Sequence, residues 1–341
     1  MRNAVKIIIT VFIDLVVFAA LLLSIAWFHH ARPQELTVQR VFEIPTTAPS
    51  IPTPTAAPNT TVPPQPGTTP GELPEETPAP TPTPRPTGLL GYKYAEKFTD
   101  GEVIWDENGY RSADVCIEVS EHEMTVHRYP VHYFVADIYI QNIASFRCAI
   151  AENESNKETV VKMANDNNAI VALSGDYFLH HGSGLAIRNG VVYREKLHKD
   201  QDVCVLYMDG TMETYYKGQV DLNYIYSKAP LHAWSFGPKL LDNGQPKTEF
   251  NTSVETWNPR AAIGYYEPGH YCFVVVDGRQ EGYSYGLLMQ DLSKLMYDLG
   301  CTEAYNLDGG MTAMMAFRGE LFSRPCGGGR KNCDILYIGE P

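Results

Sequence analysis

The chain has 341 residues, with 27 lysines and arginines against 40 aspartates and glutamates, a formal net charge of −13 at pH 7. So acidic a chain lacks the basic footprint of a nucleic-acid binder, and an anionic substrate must be held by a few placed arginines, not by the general field. No Cys-x-x-Cys or His-x-x-x-His spacing supports a structural zinc site, and no cofactor or metal is expected.

Residues 7–28 are almost all apolar and long enough to cross a bilayer as a helix. Arg2 and Lys6 precede them, which by the positive-inside rule puts the N-terminus in the cytoplasm. A cleaved signal peptide fits less well, because Trp27, Phe28, His29 and His30 follow where a small-x-small site belongs. Asp14 is costly in lipid and should face a partner helix or be neutral. Residues 45–87 are nearly all Pro, Thr, Ala, Ser and Gly, a composition that cannot bury a core and favours extended polyproline II. The expected organisation is a cytoplasmic N-terminus and single-pass membrane anchor (1–30), an extracellular linker (31–87) and one folded extracellular domain (88–341).

Within that domain, residues 103–150 read as successive strands, the longest a β-branched and aromatic run over 132–140. Ser155 and Glu158 form a capping box for a helix to about Asn168. Residues 169–173 then make a short buried strand ending at Ser174-Gly175-Asp176-Tyr177-Phe178. Hairpins are expected on Asn189-Gly190 and Asp209-Gly210, and a turn at Asp242-Asn243-Gly244. Leu288, Leu292, Leu295, Met296 and Leu299 fall at helical spacing, with Gly300 as the stop. The fold class expected is α+β, a mixed, largely antiparallel sheet system with two principal helices, preceded by one transmembrane helix. Of seven cysteines, Cys326 and Cys333 flank three glycines and could close a loop; Cys148, Cys204 and Cys272 read as buried thiols, and the odd count leaves at least one unpaired within the chain.

Two apolar runs end alike, one in Asp277-Gly278-Arg279 and one in Asn306-Leu307-Asp308-Gly309-Gly310, and the helix over 288–299 joins them. A strand that ends in a carboxylate and a glycine turn presents an acid at the rim of a sheet. A plain Asp-Gly turn is the bland alternative, and it clearly applies at Asp209-Gly210. The strand-end polar residues Asp176, Arg260, Asp277, Arg279, Asn306 and Asp308 suggest hydrolysis of an anionic substrate, since guanidinium matches phosphate bidentately. They suit buried salt bridges equally well. His180 and His181 follow Asp176 closely, but adjacent side chains on a strand point to opposite faces and rarely share a metal.

Phe236-Gly-Pro-Lys-Leu-Leu-Asp-Asn-Gly244, Asn258-Pro-Arg260-Ala-Ala-Ile-Gly264, Val274-Val-Val-Asp-Gly-Arg279 and Asn306-Leu-Asp-Gly-Gly310 follow one another in an order and spacing that resembles the phosphodiester glycosidase family. The resemblance takes in Gly175-Asp-Tyr-Phe178 and spans about residues 130–340. It departs at Ser174, where the family usually has Asn, and at Met311. The resemblance implies cleavage of a sugar-1-phosphodiester at the anomeric carbon, with cell-envelope or exopolysaccharide material as substrate. It implies Asp308 and then Asp277 as catalytic carboxylates, Arg260 and Arg279 on the phosphate, and Asp176 on sugar hydroxyls. Asn306, Gly309, Gly310 and Thr312 complete the expected binding set. The alternative is a non-catalytic polysaccharide binding or assembly protein on the same scaffold.

Overall fold

The computed structural model describes residues 2–26, 36–44, 90–153, 156–180, 182–250, 252 and 254–341. The proline-rich segment 45–87, the Ser155 cap and His181 lie outside them. Helix α1, Arg2–Ala26, forms where the apolar run predicts a helix. The membrane span expected of it is not supported: among the described residues no helix is long and apolar enough to cross a membrane.

The rest is α+β, and every pairing within its sheets is antiparallel. Sheets of seven, six and five strands carry the fold, with a two-strand hairpin beside them. All three contribute to one core, through Phe134 and Ile263, Leu206 and Trp234, and Leu173 and Leu336. The expected long strand is Tyr129–Ile140, paired along its whole length with Val115–Val126. Hairpins form at Asn189-Gly190, where both residues have positive φ, and at Asp209-Gly210. Helix α2, Val160–Asp166, is capped by the Thr159 hydroxyl, which accepts from the Lys162 amide. Glu158 lies in a bridge to Asn332 instead of in a capping box. A short helix α3, Leu222–Ser227, was not anticipated. Helix α4, Met289–Asp298, buries Leu292, Leu295 and Met296 of the predicted stripe, has half-buried Leu288 and Leu299 as its caps, and is followed by Gly300 at φ +90°.

The seven-stranded sheet positions the site. Strand Arg260–Glu267 lies between Glu303–Asn306 and His270–Val276, pairing antiparallel with each. The two flanking strands are therefore parallel to each other, and α4 is the crossover between them, as that connection requires. Both run out at the end of the sheet where Arg260 begins: Arg260 is level with Val276, and Ala262 with Asn306. The loops that carry Arg279 and Asp308 thus emerge beside Arg260.

All seven cysteines are free thiols. The bridge considered for Cys326 and Cys333 does not form: Cys333 is buried with its Sγ 3.6 Å from Asp334, while Cys326 is half-buried in the glycine loop. Cys148, Cys204 and Cys272 are buried, as their apolar runs predict.

Asp176 belongs to a buried triad. Arg188 Nη2 donates to its Oδ1 at 2.6 Å and Arg188 Nε to Asp334 Oδ2 at 2.8 Å, with all three side chains fully buried. The Asp334 carboxylate presses on the chain at Gly175, where a Cβ would come within 2.2 Å of it, so only glycine fits before Asp176. Burial works against the Arg188 charge, but the two carboxylates hold it firmly protonated. Removing the shared cation strands two buried anions. Arg188→Met should therefore lose about 3–5 kcal/mol of unfolding free energy in urea at neutral pH. The loss should shrink in acid, because stranded carboxylates take up protons more readily folded than unfolded, so their penalty grows as pH rises. A loss under about 1 kcal/mol would show that the triad does not hold this region together.

Candidate active site

A cavity of about 380 Å³ opens at that end of the seven-stranded sheet, lined by Phe236, Asn258, Arg260, Arg279, Asn306 and Asp308 with Gly309 and Gly310. A larger one of about 540 Å³ lies beside α2 and contains none of the strand-end residues, so size does not select the site. Chemistry does.

Arg260 is 2% exposed. Its guanidinium donates to backbone carbonyls alone, Leu287 O at 3.0 Å, Thr256 O at 2.6 Å and Glu255 O at 3.4 Å. Among the described residues no carboxylate pairs with it. Burial, and then the neighbouring Arg279 charge, lower its pKa to about 10. It stays a cation at neutral pH, and three carbonyl dipoles do not cancel a full charge. Arg279 is exposed, holds a left-handed backbone (φ +58°) and donates from Nη2 to Asn258 Oδ1 at 2.6 Å. Among the described residues neither guanidinium has a carboxylate partner, and two such groups at one cavity can receive an anion.

The glycine pair has a steric cause. A Cβ on Gly309 would lie 2.6 Å from Pro259 O, and one on Gly310, at φ +63°, would lie 3.3 Å from the Arg279 guanidinium. The turn lets the Asp308 loop close against both arginine-bearing segments, and Gly310 N donates to Pro259 O at 2.9 Å. Thr312 is buried, and its hydroxyl donates to Gly309 O at 2.6 Å, bracing the turn from behind. Asn306 donates from Nδ2 to Gly237 O at 2.7 Å, while its buried Oδ1 has no partner among the described residues.

Asp308 is 8% exposed, and burial raises its pKa to about 6; the Thr312 hydroxyl and the Arg330 charge pull the other way. Arg330 Nη2 approaches Asp308 Oδ2 at 3.4 Å. Arg330 was missed by the sequence reading. Its one signal is position: it follows three glycines, all at positive φ, which turn the chain back toward Asp308.

The convergence expected of Asp277 and Asp308 holds for their strands but not for their side chains. Asp277 is fully buried outside the cavity. Its Oδ2 accepts from Tyr283 Oη and the Arg324 amide, both at 3.0 Å, its Oδ1 has no partner among the described residues, and burial raises its pKa. It ties down the loop that follows Arg279. Asp176 is likewise outside the cavity, its Oδ1 spent on Arg188 and the Phe178 amide and its Oδ2 on the Ser235 amide. Asp308 is then the one carboxylate lining the cavity among the described residues. His180 stacks on Tyr177 at 4.3 Å. Among the described residues no cluster of three His, Cys, Asp or Glu side chains is placed to hold a metal ion.

The chain is 31% identical over 199 residues to the uncharacterized protein YomE derived from the SPbeta prophage of Bacillus subtilis, a match covering 55% of this chain and 30% of that relative. The fold is similar to the zebrafish N-acetylglucosamine-1-phosphodiester alpha-N-acetylglucosaminidase catalytic domain, solved auto-inhibited by its propeptide. That match has a TM-score of 0.56 and 19% identity, and covers 70% of this chain and 88% of that one. The phosphodiester glycosidase family profile matches residues 167–338, half of the chain and all the segments that build the cavity from Arg260 to Asp308, so the chain belongs to the phosphodiester glycosidase family.

Proposed function

We propose that the chain is a hydrolase that cleaves the glycosidic bond of a sugar-1-phosphodiester, with cell-envelope or exopolysaccharide material as its source of substrate. The observation that carries this reading is the composition of the cavity: two arginines without carboxylate partners facing one carboxylate of raised pKa. Ordinary glycosidases need two carboxyl groups, one of them an acid that protonates the leaving oxygen. A phosphate leaving group is a weak base and leaves as an anion, so an acid is dispensable and charge stabilisation is what matters. A site with one carboxylate and two guanidiniums fits that demand.

In this reading Arg260 and Arg279 hold the phosphate, and Asn306 Oδ1 accepts from a sugar hydroxyl. The bond from the anomeric carbon to the phosphate oxygen breaks, and the electron pair leaves with the phosphomonoester. The new bond to that carbon comes from water whose proton passes to Asp308, or first from Asp308 itself and then from water. Anomeric configuration of the product separates the two routes.

Either role needs ionised Asp308, so kcat/KM should rise with pH through about 6. Asp308→Asn should cut turnover by several orders of magnitude while the protein stays folded. The sign for stability is opposite to that for activity. The folded state binds the Asp308 proton better than the unfolded chain, so stability falls as pH rises from about 4 to 6. Above that window the buried anion costs on the order of 2–3 kcal/mol, and Asp308→Asn should match or exceed the parent melting temperature at pH 7. Near-normal turnover in that variant removes Asp308 from the chemistry.

Arg260→Lys keeps the charge but loses the planar fork. Activity on a sugar-1-phosphodiester should fall by at least about tenfold, or 1.4 kcal/mol. Any activity on a neutral aryl glycoside should fall less. Equal losses on both would mark Arg260 as a structural cation.

A further inference from the structure

Cys272 and Cys301 face each other in the core, their Sγ atoms 3.7 Å apart. Cys272 lies in strand His270–Val276, and Cys301 in the turn that leads from α4 into strand Glu303–Asn306. Both are buried in the cluster that packs α4 on the seven-stranded sheet, with Met296 and Ala304 beside them. Their backbones are held on each side. Cys272 is level with Gly264 in one neighbouring strand and Asp137 in the other. The Cys301 amide donates to Met296 O at 3.2 Å, and the next amide, of Thr302, donates to Tyr265 O at 2.8 Å.

The sheet makes room for this contact at one position. Gly264 lies opposite Cys272, and a Cβ built on it would come within 2.5 Å of Cys301 Sγ and 2.6 Å of Cys272 Sγ. A larger residue would drive the sulfurs apart. Glycine inside a strand weakens it and often marks the close approach of another group; here that group is a pair of thiols. A single buried thiol behaves as a small hydrophobe, but two in contact can be joined. The oxidant required is a low-molecular-weight disulfide. Cys301, 4% exposed at the end of α4, attacks one of its sulfurs and releases the other as a thiol. Cys272, fully buried, then attacks Cys301 Sγ in the mixed disulfide and releases the second thiol. Two protons and two electrons pass from the pair to the small disulfide, whose S–S bond is replaced by the new one.

We propose that Cys272 and Cys301 are a disulfide-forming pair, which in oxidising surroundings clasps the crossover between the two strands that end at the candidate active site. The bond closes a loop that contains Asp277, Arg279 and the whole of α4. It lies away from the cavity: Arg260 is level with Val276, and Cys272 is level with Gly264, about 14 Å back along the strand. The clasp braces the segment that carries Arg279 without entering the cavity, and it stands independently of the hydrolase reading.

The test refolds the full chain from denaturant in oxidised glutathione or in dithiothreitol, then removes the reagent. Peptide mapping of the oxidised protein should find Cys272 linked to Cys301. That form should melt at least about 5 °C above the reduced one, because the bridge restricts the unfolded chain. The redox-dependent gain should vanish in Cys272→Ala and in Cys301→Ala, whatever each substitution costs in packing. If the chain does not refold, the native protein is oxidised in urea just below its unfolding midpoint and read in the same way. Both thiols still free after oxidation, a glutathione adduct on Cys301 without the link, or a bridge from either to another cysteine overturns the proposal. So does a link that leaves the melting temperature unchanged, or a gain that survives either substitution. None of these readouts needs turnover, so the clasp and the hydrolase reading fail separately.

Discussion

A buried cation held only by carbonyl oxygens is the constraint on which the site depends. Arg260 opens the strand next to one edge of the seven-stranded sheet, and its guanidinium is fixed by the backbone of residues 255–256 and 287. Desolvating a guanidinium without a carboxylate is expensive, because dipoles recover only part of the lost hydration. The fold bears that cost where two loops meet, beside a second arginine that raises it further. A merely structural arginine at the same depth would take a counter-ion, and this chain supplies one elsewhere. Arg188 is as deeply buried and lies between Asp176 and Asp334, with its charge more than balanced. The same two residue types thus make a closed triad in one place and leave a guanidinium without a counter-ion in another.

That contrast explains what was legible in the sequence. Apolar runs ending in Asp-Gly gave the strand ends, because burial fixes the run and glycine permits the turn, and α4 followed from its stripe and Gly300. The antiparallel hairpins at Asn189-Gly190 and Asp209-Gly210 were equally local. Strand-end position, however, fixes where a backbone emerges and not which way the next side chain turns. Asp277 and Asp308 share a context, yet one turns under the Tyr283 loop and the other into the cavity. Asp176 was grouped with them although its partner Arg188 lies in a hairpin read only as a turn. Arg330 reaches Asp308 from later in the chain through a glycine loop whose path no local pattern encodes.

The two departures from the family pattern carry little weight in the geometry. Ser174 is buried, its hydroxyl accepting from the Met314 amide at 3.3 Å, and it does not line the cavity. Met311 uses its carbonyl to accept from the Arg330 amide at 2.9 Å, a contact any residue can make, and its side chain is 38% exposed. Both differences lie behind or beside the reacting groups.

The proposed reaction poses an electrostatic question: how one carboxylate would stay ionised while an anion binds beside it. A phosphodiester at Arg260 and Arg279 brings negative charge toward Asp308, which on its own would push a pKa already near 6 higher. Three positive groups oppose that. Arg260 and Arg279 are neutralised only in part by a singly charged diester, and Arg330 faces the carboxylate directly. Once the bond to the sugar breaks, the leaving group gains a second negative charge, and the same arginines then interact more strongly with it than with the substrate. Stabilisation that grows as the bond breaks is what accelerates a reaction. In the proposed reaction a chain of net charge −13 would achieve it locally, with three guanidiniums around one carboxylate.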